Sequence, residues 1–452
     1  MSARRKWFGT DGIRACYGVE PMTPEFVWRI GRAAAKHWGQ SKQAPLFIVG
    51  RDTRASGTVL EDCLCRGLLA GGAQVTRLGV VPSGAVSLLT PAIGAAAGVM
   101  ISASHNEYRD NGIKFFDRAG FKLTDQDELA VERHLGRGRR VPPLSHEIPA
   151  VMDFGAQPIY LEMYRQALAK TVPADFSLDG RTLVVDAANG AAWGIAAGIL
   201  SGYGARVEKI GCLPDGRNIN DGCGSTHPEP LAVKVRQQPG AIGLAFDGDA
   251  DRLLMVDEDG APLDGDEIMA LVGTHLLRHG ALPGKTLVTT VMSNLGLDEA
   301  IAAAGGTVVR TEVGDRYVLE KMRAGGFTVG GEQSGHFLFL DYAASGDGLL
   351  SALQVLNVCR AERRPLRELR KVLRKYPQQL FSRPVARKTP LAKLPGLRAA
   401  IADAEARLGG RGRVLARYSG TERKIRVLLE AADAVLLKKI APPLLKIVAK
   451  LR

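Results

Sequence analysis

Residues 45–79 read PLFIVGRDTRASGTVLEDCLCRGLLAGGAQVTRLG, and this stretch sets the pattern of the whole chain. An apolar run opens it, a small polar loop follows, and a periodic helix leads through Gly71-Gly72 to a second β run. The same order recurs in residues 181–211, RTLVVDAANGAAWGIAAGILSGYGARVEKIG, and in residues 285–314, KTLVTTVMSNLGLDEAIAAAGGTVVRTEVG. Apolar strands that alternate with helices are typical of parallel sheets, so the sequence predicts three equivalent α/β units.

Each unit continues into a strand, a short polar loop and a second strand, at residues 95–120, 240–260 and 327–348. The three loops read SASHN, DGDAD and GEQSGH, and in the first we expect the chain to turn on Asn111-Gly112. If the units pack around one cleft, each loop contributes a different chemical group to it. The repeat therefore predicts a function for these loops beyond that of polar turns.

The chain after about Tyr376 departs from the repeat. It has a basic, proline-containing entry, a helix around Arg398 to Leu408, and a last strand-loop-strand with the loop RYSGTE. The predicted fold class is α/β, with three repeated α/β domains with mixed sheets and a smaller α+β C-terminal domain around a central cleft. We place the four domains at residues 1–152, 153–252, 253–370 and 371–452.

Length and composition restrict the class of protein. The chain has 452 residues, a net charge of +13 and six scattered cysteines. It has no apolar run long enough to span a membrane and no secretory signal, and its cysteine usage fits a reducing cytosol, so we expect a cytoplasmic protein. Lysine and arginine are spread along the chain, which disfavours nucleic-acid binding. The densest basic stretch starts at Arg360, and its apolar spacing predicts a helix with a solvated basic face.

The acidic loop is the clearest candidate metal site. Asp247, Asp249 and Asp251 alternate in FDGDADR, so an extended loop would aim three carboxylates the same way. Hard oxygen ligands suit Mg²⁺. An EF-hand is disfavoured because Arg252 stands where that loop needs glycine. A solvated acidic turn remains the simpler alternative.

Two further loops carry polar chemistry. In RYSGTE, an arginine, two hydroxyls and a backbone N–H can bind phosphate. In GEQSGH, Glu332 can accept from sugar hydroxyls or an amine, and His336 can move a proton near neutral pH. The stretch HGALPGKT is one residue short of a P-loop, so the sequence does not indicate a nucleotide site.

A serine beside a metal site and a phosphate cradle, without a nucleotide site, indicates phosphoryl transfer through phosphoserine.

These motifs together resemble the α-D-phosphohexomutases, and within that family the bacterial branch that acts on glucosamine phosphates. The resemblance covers essentially the whole chain, through FGTDGIR, ISASHN, NINDGCGSTHPE, AFDGDADR, TEVGDRYV, GGEQSGH and RYSGTE. Gln333 in GEQSGH and the motif CGSTHPE favour the glucosamine branch. The resemblance implies that glucosamine 6-phosphate takes the phosphate of a phosphoserine, and that a 1,6-bisphosphate intermediate returns a phosphate to leave glucosamine 1-phosphate.

The resemblance also implies roles for individual residues. Ser104 would be the phosphoserine and would share one Mg²⁺ with Asp247, Asp249 and Asp251. The other predicted site residues are Arg14 and Lys114 near the transferring proton, His336 as a proton mover, Glu332, Ser334 and Gly314 at the sugar, Arg252 beside the reacting phosphate, and Arg417, Ser419, Gly420 and Thr421 at the non-reacting phosphate. The expected partner is a small hexosamine phosphate, without nucleic acid or membrane, and a homodimer is compatible with the sequence.

The sequence departs from the family pattern at Ala15, Glu107 and Arg423, where Gly, Pro and Pro are usual. Glu107 adds negative charge near a phosphate, which puts affinity in question. Two other enzyme or binding functions stay open: a phosphoglucomutase/phosphomannomutase of the same fold, and a catalytically silent protein that binds sugar phosphates. A nucleic-acid binder is a third alternative.

Overall fold

The computed structural model describes residues 5–9, 11–39, 43–136, 141–148, 153–418 and 423–451. Its first unit holds a five-stranded sheet with helices. In chain order its elements are β1 (Ile13–Cys16), α1 (Pro24–Trp38), β2 (Leu46–Arg51), α2 (Ala55–Ala70), β3 (Gln74–Val80), α3 (Ser83–Ile93), β4 (Ala97–Ile101), β5 (Asp110–Phe116) and α4 (Asp125–Arg133). The strand order is β1-β5-β4-β2-β3, with β2 parallel to β3 and β4, and with β5 antiparallel to β4 and β1.

The second unit repeats this topology. Its elements are α5 (Pro158–Ala169), β6 (Thr182–Asp186), α6 (Ala196–Ser201), β7 (Arg206–Ile210), α7 (Glu229–Arg236), β8 (Ile242–Phe246), β9 (Leu253–Val256) and β10 (Pro262–Leu263). The order β10-β9-β8-β6-β7 has the same parallel and antiparallel pairs as the first sheet. Because β9 pairs with β8, the domain boundary that we predicted between residues 252 and 253 falls inside a hairpin.

The third unit follows the same plan with one strand fewer. Its elements are α8 (Gly265–Arg278), β11 (Thr286–Thr290), α9 (Leu295–Ala303), β12 (Thr307–Thr311), α10 (Asp315–Gly325), β13 (Val329–Gly331), β14 (Phe337–Phe339), α11 (Gly348–Glu362) and α12 (Leu366–Leu369). The order is β12-β11-β13-β14, and only the β13–β14 pair is antiparallel.

The C-terminal unit is a separate α+β layer. It contains β15 (Gln378–Pro384), α13 (Pro395–Leu408), β16 (Gly412–Tyr418), β17 (Lys424–Ala431) and α14 (Ala434–Val448), with the antiparallel order β15-β17-β16. Buried side chains of the first three units, such as Ile48, Leu183 and Leu287, join in one hydrophobic cluster. The C-terminal unit has its own core around Leu397 and Val427. The predicted fold class is confirmed.

Local signals explain where the helices start and stop. Asp264 caps α8 through the backbone N–H groups of Asp266 and Glu267, and the Glu267 side chain accepts from the Asp264 N–H in return. After the repeated helices, Gly72 and Gly204 adopt φ values of 92°, a conformation that glycine reaches without strain. The glycine stops read from the sequence are therefore confirmed.

Two local predictions are wrong. Asn111 and Gly112 lie inside β5, paired with Ala15 and Arg14, and the chain reverses over residues 104–109 instead. The glycine is needed there because a Cβ at Gly112 would lie 2.5 Å from the carbonyl oxygen of Ser102.

The basic stretch after Arg360 is also not one helix. Helix α11 ends at Glu362, Arg363 turns left-handed (φ 51°), and α12 starts after Pro365. Proline disfavours a helical conformation in the residue before it, which explains the break. Among the described residues, no helix has the length and apolar character that crossing a membrane requires.

Candidate active site

The tip of the β4–β5 hairpin presents a hydroxyl group to the acidic loop. Ser104 is buried, with a left-handed backbone (φ 54°), and its hydroxyl donates to Asp247 Oδ2 at 2.5 Å. Its backbone N–H donates to the Ser102 hydroxyl at 2.9 Å. The Ser102 hydroxyl in turn donates to Asp52 at 2.6 Å. Of the two serines in SASHN, Ser104 is therefore the one that faces the acidic loop.

A buried arginine holds this tip in place. The Arg54 side chain is fully buried, is fixed by Asp52, and donates to the carbonyl oxygens of Ser104 at 2.9 Å and Asn106 at 2.7 Å. Asn220, from the second unit, donates to the same two carbonyl oxygens at 2.9 Å. The loop conformation is thus set by side chains that lie 50 to 116 residues away in the sequence.

The acidic loop gathers its carboxylates in a tight turn rather than in the extended loop that we predicted. Asp247, Asp249 and Asp251 are buried and offer ligand atoms within 4.8 Å of one another. Ala250 takes a left-handed conformation (φ 54°) inside the turn. The Oδ1 atoms of Asp249 and Asp251 are buried and have no hydrogen-bond partner among the described residues. The simpler alternative of a solvated acidic turn is therefore wrong.

The electrostatics of the three carboxylates differ. Burial, with the neighbouring Asp251 and Asp249, raises the pKa of Asp247 well above its usual value. Burial, the largest influence, would by itself raise the pKa of Asp251 as well, but the neighbouring cations, Lys114 first among them, together outweigh burial and lower that pKa. Three buried carboxylates with two free oxygens fit a hard divalent cation, because the cation would supply the positive charge and the missing partners.

Lys114 links the first unit to the acidic loop. Its ammonium lies 2.8 Å from Asp249 Oδ2, 3.1 Å from Asp251 Oδ2 and 3.2 Å from Asp11 Oδ2. Burial by itself would lower the pKa of Lys114, but Asp11, Asp249 and Asp251 together hold it well above its usual value. Arg14 pairs with Asp11 and reaches the Ala103 carbonyl at 3.4 Å. The structure therefore places Lys114 and Arg14 beside the acidic loop and the loop of Ser104.

The GEQSGH loop at residues 331–336, named the sugar loop after its predicted role, lies against the acidic loop. A bridge joins Arg252 and His336, and the Leu253 N–H donates to the Gly335 carbonyl at 2.9 Å. Both ring nitrogens of His336 are buried without a hydrogen-bond partner among the described residues, and Nε2 lies 3.8 Å from Asp251 Oδ2. The predicted proton mover is thus next to the predicted metal ligands.

The remaining residues of the sugar loop are split between buried and exposed positions. Glu332 accepts from the Gly314 N–H at 3.1 Å, which brings these two predicted substrate-binding residues together. Burial and the neighbouring Asp315 raise the pKa of Glu332. Ser334 is exposed.

The two predicted phosphate-binding arginines have buried Nε atoms with no hydrogen-bond partner among the described residues. Arg252 follows the acidic loop, with Nε 4.0 Å from Asp251 Oδ1. Arg417 lies at the end of β16, where burial and then Arg426 lower its pKa. Ser419, Gly420 and Thr421 lie outside the described residues. Of the predicted phosphate cradle, the structure therefore places only Arg417.

Glycine at one position lets two loops touch. A Cβ at Gly248 would lie 2.5 Å from the Ser104 carbonyl oxygen. Since Cβ atoms essentially never approach that closely, any other residue at 248 would push the acidic loop away from the serine. Gly248 is a site residue that the sequence reading passed over.

Sequence reasoning also missed a set of charged residues at the site. Lys122 pairs with Asp11 at 2.6 Å and with Asp315, and Asp315 Oδ2 lies 3.6 Å from His336 Nε2. Two of these residues do lie inside motifs noted in the sequence, Asp11 in FGTDGIR and Asp315 in TEVGDRYV. Nothing in the sequence around them distinguishes them from surface charges.

The three departures from the family pattern fit the structure without strain. Ala15 lies in β1, paired with Asn111. Glu107 is exposed, and with His105 it lines a cavity of about 450 Å³. Arg423 is exposed, and its carbonyl accepts from the Val385 N–H at 2.8 Å.

Four family models match the chain in order. They are phosphoglucomutase/phosphomannomutase alpha/beta/alpha domain I at residues 5–140, domain II at 160–260, domain III at 264–376 and the C-terminal domain at 380–447. Together they cover most of the chain, and each contains one of the four loops described above.

Curated relatives extend over nearly the whole chain. A phosphoglucosamine mutase of Anaeromyxobacter dehalogenans is 46% identical over 437 residues and covers 95% of each chain. A phosphoglucosamine mutase of Sorangium cellulosum is 47% identical over 445 residues, or 96% of this chain and 91% of the relative.

Solved structures share the fold at lower identity. A phosphoglucomutase/phosphomannomutase family protein of Burkholderia thailandensis superposes with a TM-score of 0.79 at 23% identity, covering 97% of this chain and 96% of that chain. An Aspergillus fumigatus N-acetylphosphoglucosamine mutase, in complex with GlcNAc-6P and magnesium, gives a TM-score of 0.67 at 20% identity, covering 98% and 96%.

Proposed function

The chain belongs to the phosphoglucomutase/phosphomannomutase family, and we propose that it is a phosphoglucosamine mutase, an isomerase that interconverts glucosamine 6-phosphate and glucosamine 1-phosphate. The observation that carries the proposal is the Ser104 hydroxyl, 2.5 Å from a buried cluster of three aspartates. Relatives of that name, 44–47% identical over most of the chain, support the substrate. The product would feed the synthesis of UDP-N-acetylglucosamine and cell-wall precursors.

Ser104 would carry the transferred phosphate. In the first transfer, the bond between phosphorus and Ser104 Oγ breaks, and a new bond forms between phosphorus and a sugar hydroxyl. The sugar hydroxyl loses its proton, and Ser104 gains one. The bound 1,6-bisphosphate then turns over in the site and returns its other phosphate to Ser104 by the reverse steps. Each half-reaction thus breaks one P–O bond and forms another, without a nucleotide.

The side chains around Ser104 suit these proton and charge movements. The two ring nitrogens of His336 have no hydrogen-bond partner among the described residues, so this side chain can accept the proton of the sugar hydroxyl. The Lys114 ammonium, held by three carboxylates, can stabilise the oxygen that leaves. Arg14, which reaches the Ala103 carbonyl, and Arg252, whose backbone N–H donates to Asp247, add positive charge to this site.

Asp247, Asp249, Asp251 and the phosphate on Ser104 would hold one Mg²⁺. The fit rests on the Oδ1 atoms of Asp249 and Asp251, since these buried oxygens have no hydrogen-bond partner among the described residues. Bound Mg²⁺ supplies charge neutralisation at the transferring phosphoryl group. Without such a cation, the buried Asp247 carboxylate is unfavourable, as its raised pKa indicates.

The substrate would span the other two loops. Glu332, which accepts a hydrogen bond from the Gly314 N–H, would contact sugar hydroxyls together with Ser334. The non-reacting phosphate would be held by Arg417, Ser419, Gly420 and Thr421. A cytoplasmic location and a homodimer remain predictions. Glucosamine 1,6-bisphosphate would serve both as intermediate and as activator, because it can phosphorylate a serine that has lost its phosphate.

The test is a coupled assay for glucosamine 1-phosphate with the purified protein, after its phosphorylation state has been fixed by intact mass. We expect kcat/KM for glucosamine 6-phosphate to exceed that for glucose 6-phosphate and for mannose 6-phosphate. A higher value for either of the other two would replace the proposal with a phosphoglucomutase or phosphomannomutase. Binding of all three without turnover, by protein shown to be phosphorylated, would indicate a silent binding protein.

A further inference from the structure

A second cluster of side chains that can bind a metal lies at the C-terminal end of α8. His275 lies in the last turn of α8, His279 is the residue that caps this helix, and their ring centroids are 4.3 Å apart. Glu362 ends the adjacent helix α11. The three side chains offer ligand atoms within 4.8 Å of one another. Among the described residues, this group and the aspartate triad are the two clusters with such geometry.

The cluster is distinct from the proposed active site. The N-terminus of α8 contacts the sugar loop, where the Gly265 N–H donates to the Gln333 carbonyl at 2.9 Å. Fourteen helical residues separate that contact from the C-terminal end of α8, or about 20 Å at 1.5 Å per residue. A ligand here would therefore not touch the substrate.

In His279, a hydrogen bond at one ring nitrogen determines that the other ring nitrogen is free to bind a ligand. His279 Nδ1 lies 2.8 Å from the His275 carbonyl oxygen, which can only accept, so Nδ1 must carry the hydrogen. Neutral His279 therefore keeps the lone pair on Nε2 available. This arrangement, a backbone carbonyl on one ring nitrogen and a ligand on the other, is typical of histidines that bind metals.

The other two members are held together. His275 Nδ1 lies 2.7 Å from Glu362 Oε1, and the rings of His275 and His279 are 4.3 Å apart. His275 and Glu362 are only 13% and 21% exposed at the side chain, so both are partly ordered by packing.

We propose that His275, His279 and Glu362 bind a divalent transition-metal ion of the zinc class, at a site separate from the magnesium site. Imidazole nitrogens suit zinc, whereas magnesium prefers oxygen ligands only. Three protein ligands leave one position of a tetrahedral sphere for water, and a cavity of about 230 Å³, lined in part by His275 and Glu362, adjoins them.

The surrounding charges set the strength of binding. Arg278 and Arg364 line the same cavity, and Arg364 is engaged by Glu368 at 3.4 Å. These cations oppose a metal ion, so we expect weaker binding than at a closed site with four protein ligands. The competing explanation is that His275 and Glu362 form only an ion pair that ties α11 to α8.

The experiment is a zinc titration of tag-free protein by calorimetry. The Asp249→Asn background is used, because it weakens the proposed magnesium site. We expect one equivalent of zinc to bind, and His279→Ala to weaken it at least about tenfold, since even loss of an outer-shell partner costs about 10–100-fold. The matched control is His227→Ala, which removes an exposed histidine elsewhere.

Separate outcomes distinguish the two explanations. Cobalt in place of zinc should give a tetrahedral absorption spectrum that Glu362→Gln alters and His227→Ala does not. In the Asp249 parent chain, His279→Ala should leave turnover with Mg²⁺ unchanged. Absence of zinc binding, or an isotherm that His279→Ala leaves unchanged, would overturn the proposal, and a loss of thermal stability alone would identify a structural ion pair.

Discussion

Ser104 has a backbone that most residues avoid, and its hydroxyl is aimed by that backbone. Its φ of 54° is left-handed, as is that of Ala250 in the acidic loop. Each such conformation costs roughly 1–3 kcal/mol and persists only where surrounding contacts determine it. Arg54, Asn220 and Ser102 supply those contacts at the serine. We therefore read the strain as the cost of presenting the hydroxyl to Asp247.

We predict that Ser104→Ala lowers kcat by at least about 1,000-fold, which is the scale of the loss when a nucleophile is removed in covalent catalysis. The fold should survive, because the Ser104 hydroxyl contacts only Asp247 and, at 3.4 Å, His105 Nδ1 among the described residues. Intact mass before and after phosphatase gives a second readout. The Ser104→Ala protein should carry no phosphate, whereas Ser102→Ala should retain the mass of one phosphate. Phosphate on the Ser104→Ala protein would show that another residue is the carrier.

We predict that Asp249→Asn raises the Mg²⁺ concentration for half-maximal activity by at least about tenfold, and that EDTA abolishes activity of the parent. An amide replaces a charged ligand, although its oxygen can still accept from Ser83 and Lys114. Asp259→Asn, which changes an exposed acid after β9, is the matched control. Full activity of the parent in EDTA would contradict the metal requirement.

We predict that Glu332→Gln lowers kcat/KM for glucosamine 6-phosphate and glucose 6-phosphate alike, by about 10- to 100-fold each, as expected for a hydrogen bond to a charged group. One oxygen of Glu332 is fixed by the Gly314 N–H, and Gln can keep that contact. The group would therefore act on hydroxyls that both sugars share. The alternative is that Glu332 reads the ammonium of the amino sugar. A loss confined to glucosamine 6-phosphate would support that alternative.

At the scale of elements, the hairpin is the device that the chain repeats. The pairs β4–β5, β8–β9 and β13–β14 occupy the same place in their sheets, each antiparallel to a strand of the parallel core. A parallel strand ends at one edge of its sheet, so each hairpin carries its loop to that edge. This is why three units with one topology deliver a serine, an acidic turn and a sugar loop to one place.

A polar network ties the sugar loop to the C-terminal unit. Gln333 Nε2 donates to Asp266 Oδ2 at 2.9 Å and lies 3.2 Å from Gln378 Oε1. Gln378 in turn donates to Glu430 at 2.7 Å, and Glu430 also accepts from the Leu295 N–H. The orientation of the C-terminal unit and the position of the sugar loop therefore depend on the same side chains.

We predict that this network gives stability a pH dependence through Asp266. Burial, with the neighbouring Asp264, raises the pKa of Asp266 to about 7. An unfolded aspartate titrates near pH 3.9, so the folded state binds more protons between about pH 4 and 7, and stability falls as pH rises through that window. The shift corresponds to a loss on the order of 4 kcal/mol.

The measurement compares the parent with Asp266→Asn by urea denaturation from pH 4.5 to 8. Asn cannot ionise, so the variant should gain stability relative to the parent as pH rises. The difference between the two proteins is the quantity of interest, because other titrating groups cancel in it. A difference that is constant with pH would show that Asp266 is ionised throughout.

The elements were predictable from the sequence where the signal is local. Periodicity and Gly71-Gly72 indicate the repeat, and the alternating carboxylates of Asp247, Asp249 and Asp251 indicate the candidate metal site. The prediction of one helix after Arg360 is wrong because Pro365 interrupts the helix despite its apolar spacing. The predicted turn at Gly112 is wrong because this glycine allows the backbone to approach Ser102 closely and does not reverse the chain.

At the scale of the whole molecule, the site exists because the units pack against one another. The Ser83 N–H donates to the Asp249 carbonyl at 2.9 Å between the first and second units. The Gly348 N–H donates to the Ala250 carbonyl at 2.9 Å between the third and second. The acidic loop is thus held from both sides, and its carboxylates stay together before any cation binds.

The polar and charged partners at the contacts between units could not be predicted, because they lie far apart in the sequence. Lys122 and Asp315 are 193 residues apart, and Asn220 and Ser104 are 116 apart. A single sequence shows each as an isolated polar residue, which is most often solvated. Only folding shows that Asp11 and Asp315 share one lysine.

The last prediction concerns the ion pair that joins the first unit to the third. Lys122 pairs with Asp315 across the interface, and both side chains are 15% exposed. Lys122→Met leaves the largely buried Asp315 without its lysine and should cost about 3–5 kcal/mol, whereas Asp315→Asn leaves Lys122 paired with Asp11 at 2.6 Å and should cost less. The double variant should cost less than the sum of the two single variants, with a coupling energy of at least about 1 kcal/mol, measurable by a double-mutant cycle in urea.

The control is the exposed ion pair of Glu162 and Arg165 on α5, whose side chains are 47% and 52% exposed. Its coupling energy should be about 0.5 kcal/mol or less. Because Asp315 also faces His336, the single variants should lose activity as well as stability, whereas the Glu162 and Arg165 variants should lose neither. Equal coupling in the two pairs would show that the interface between the first and third units is held by apolar packing and backbone contacts, and that Lys122 matters only for the charge balance of the site.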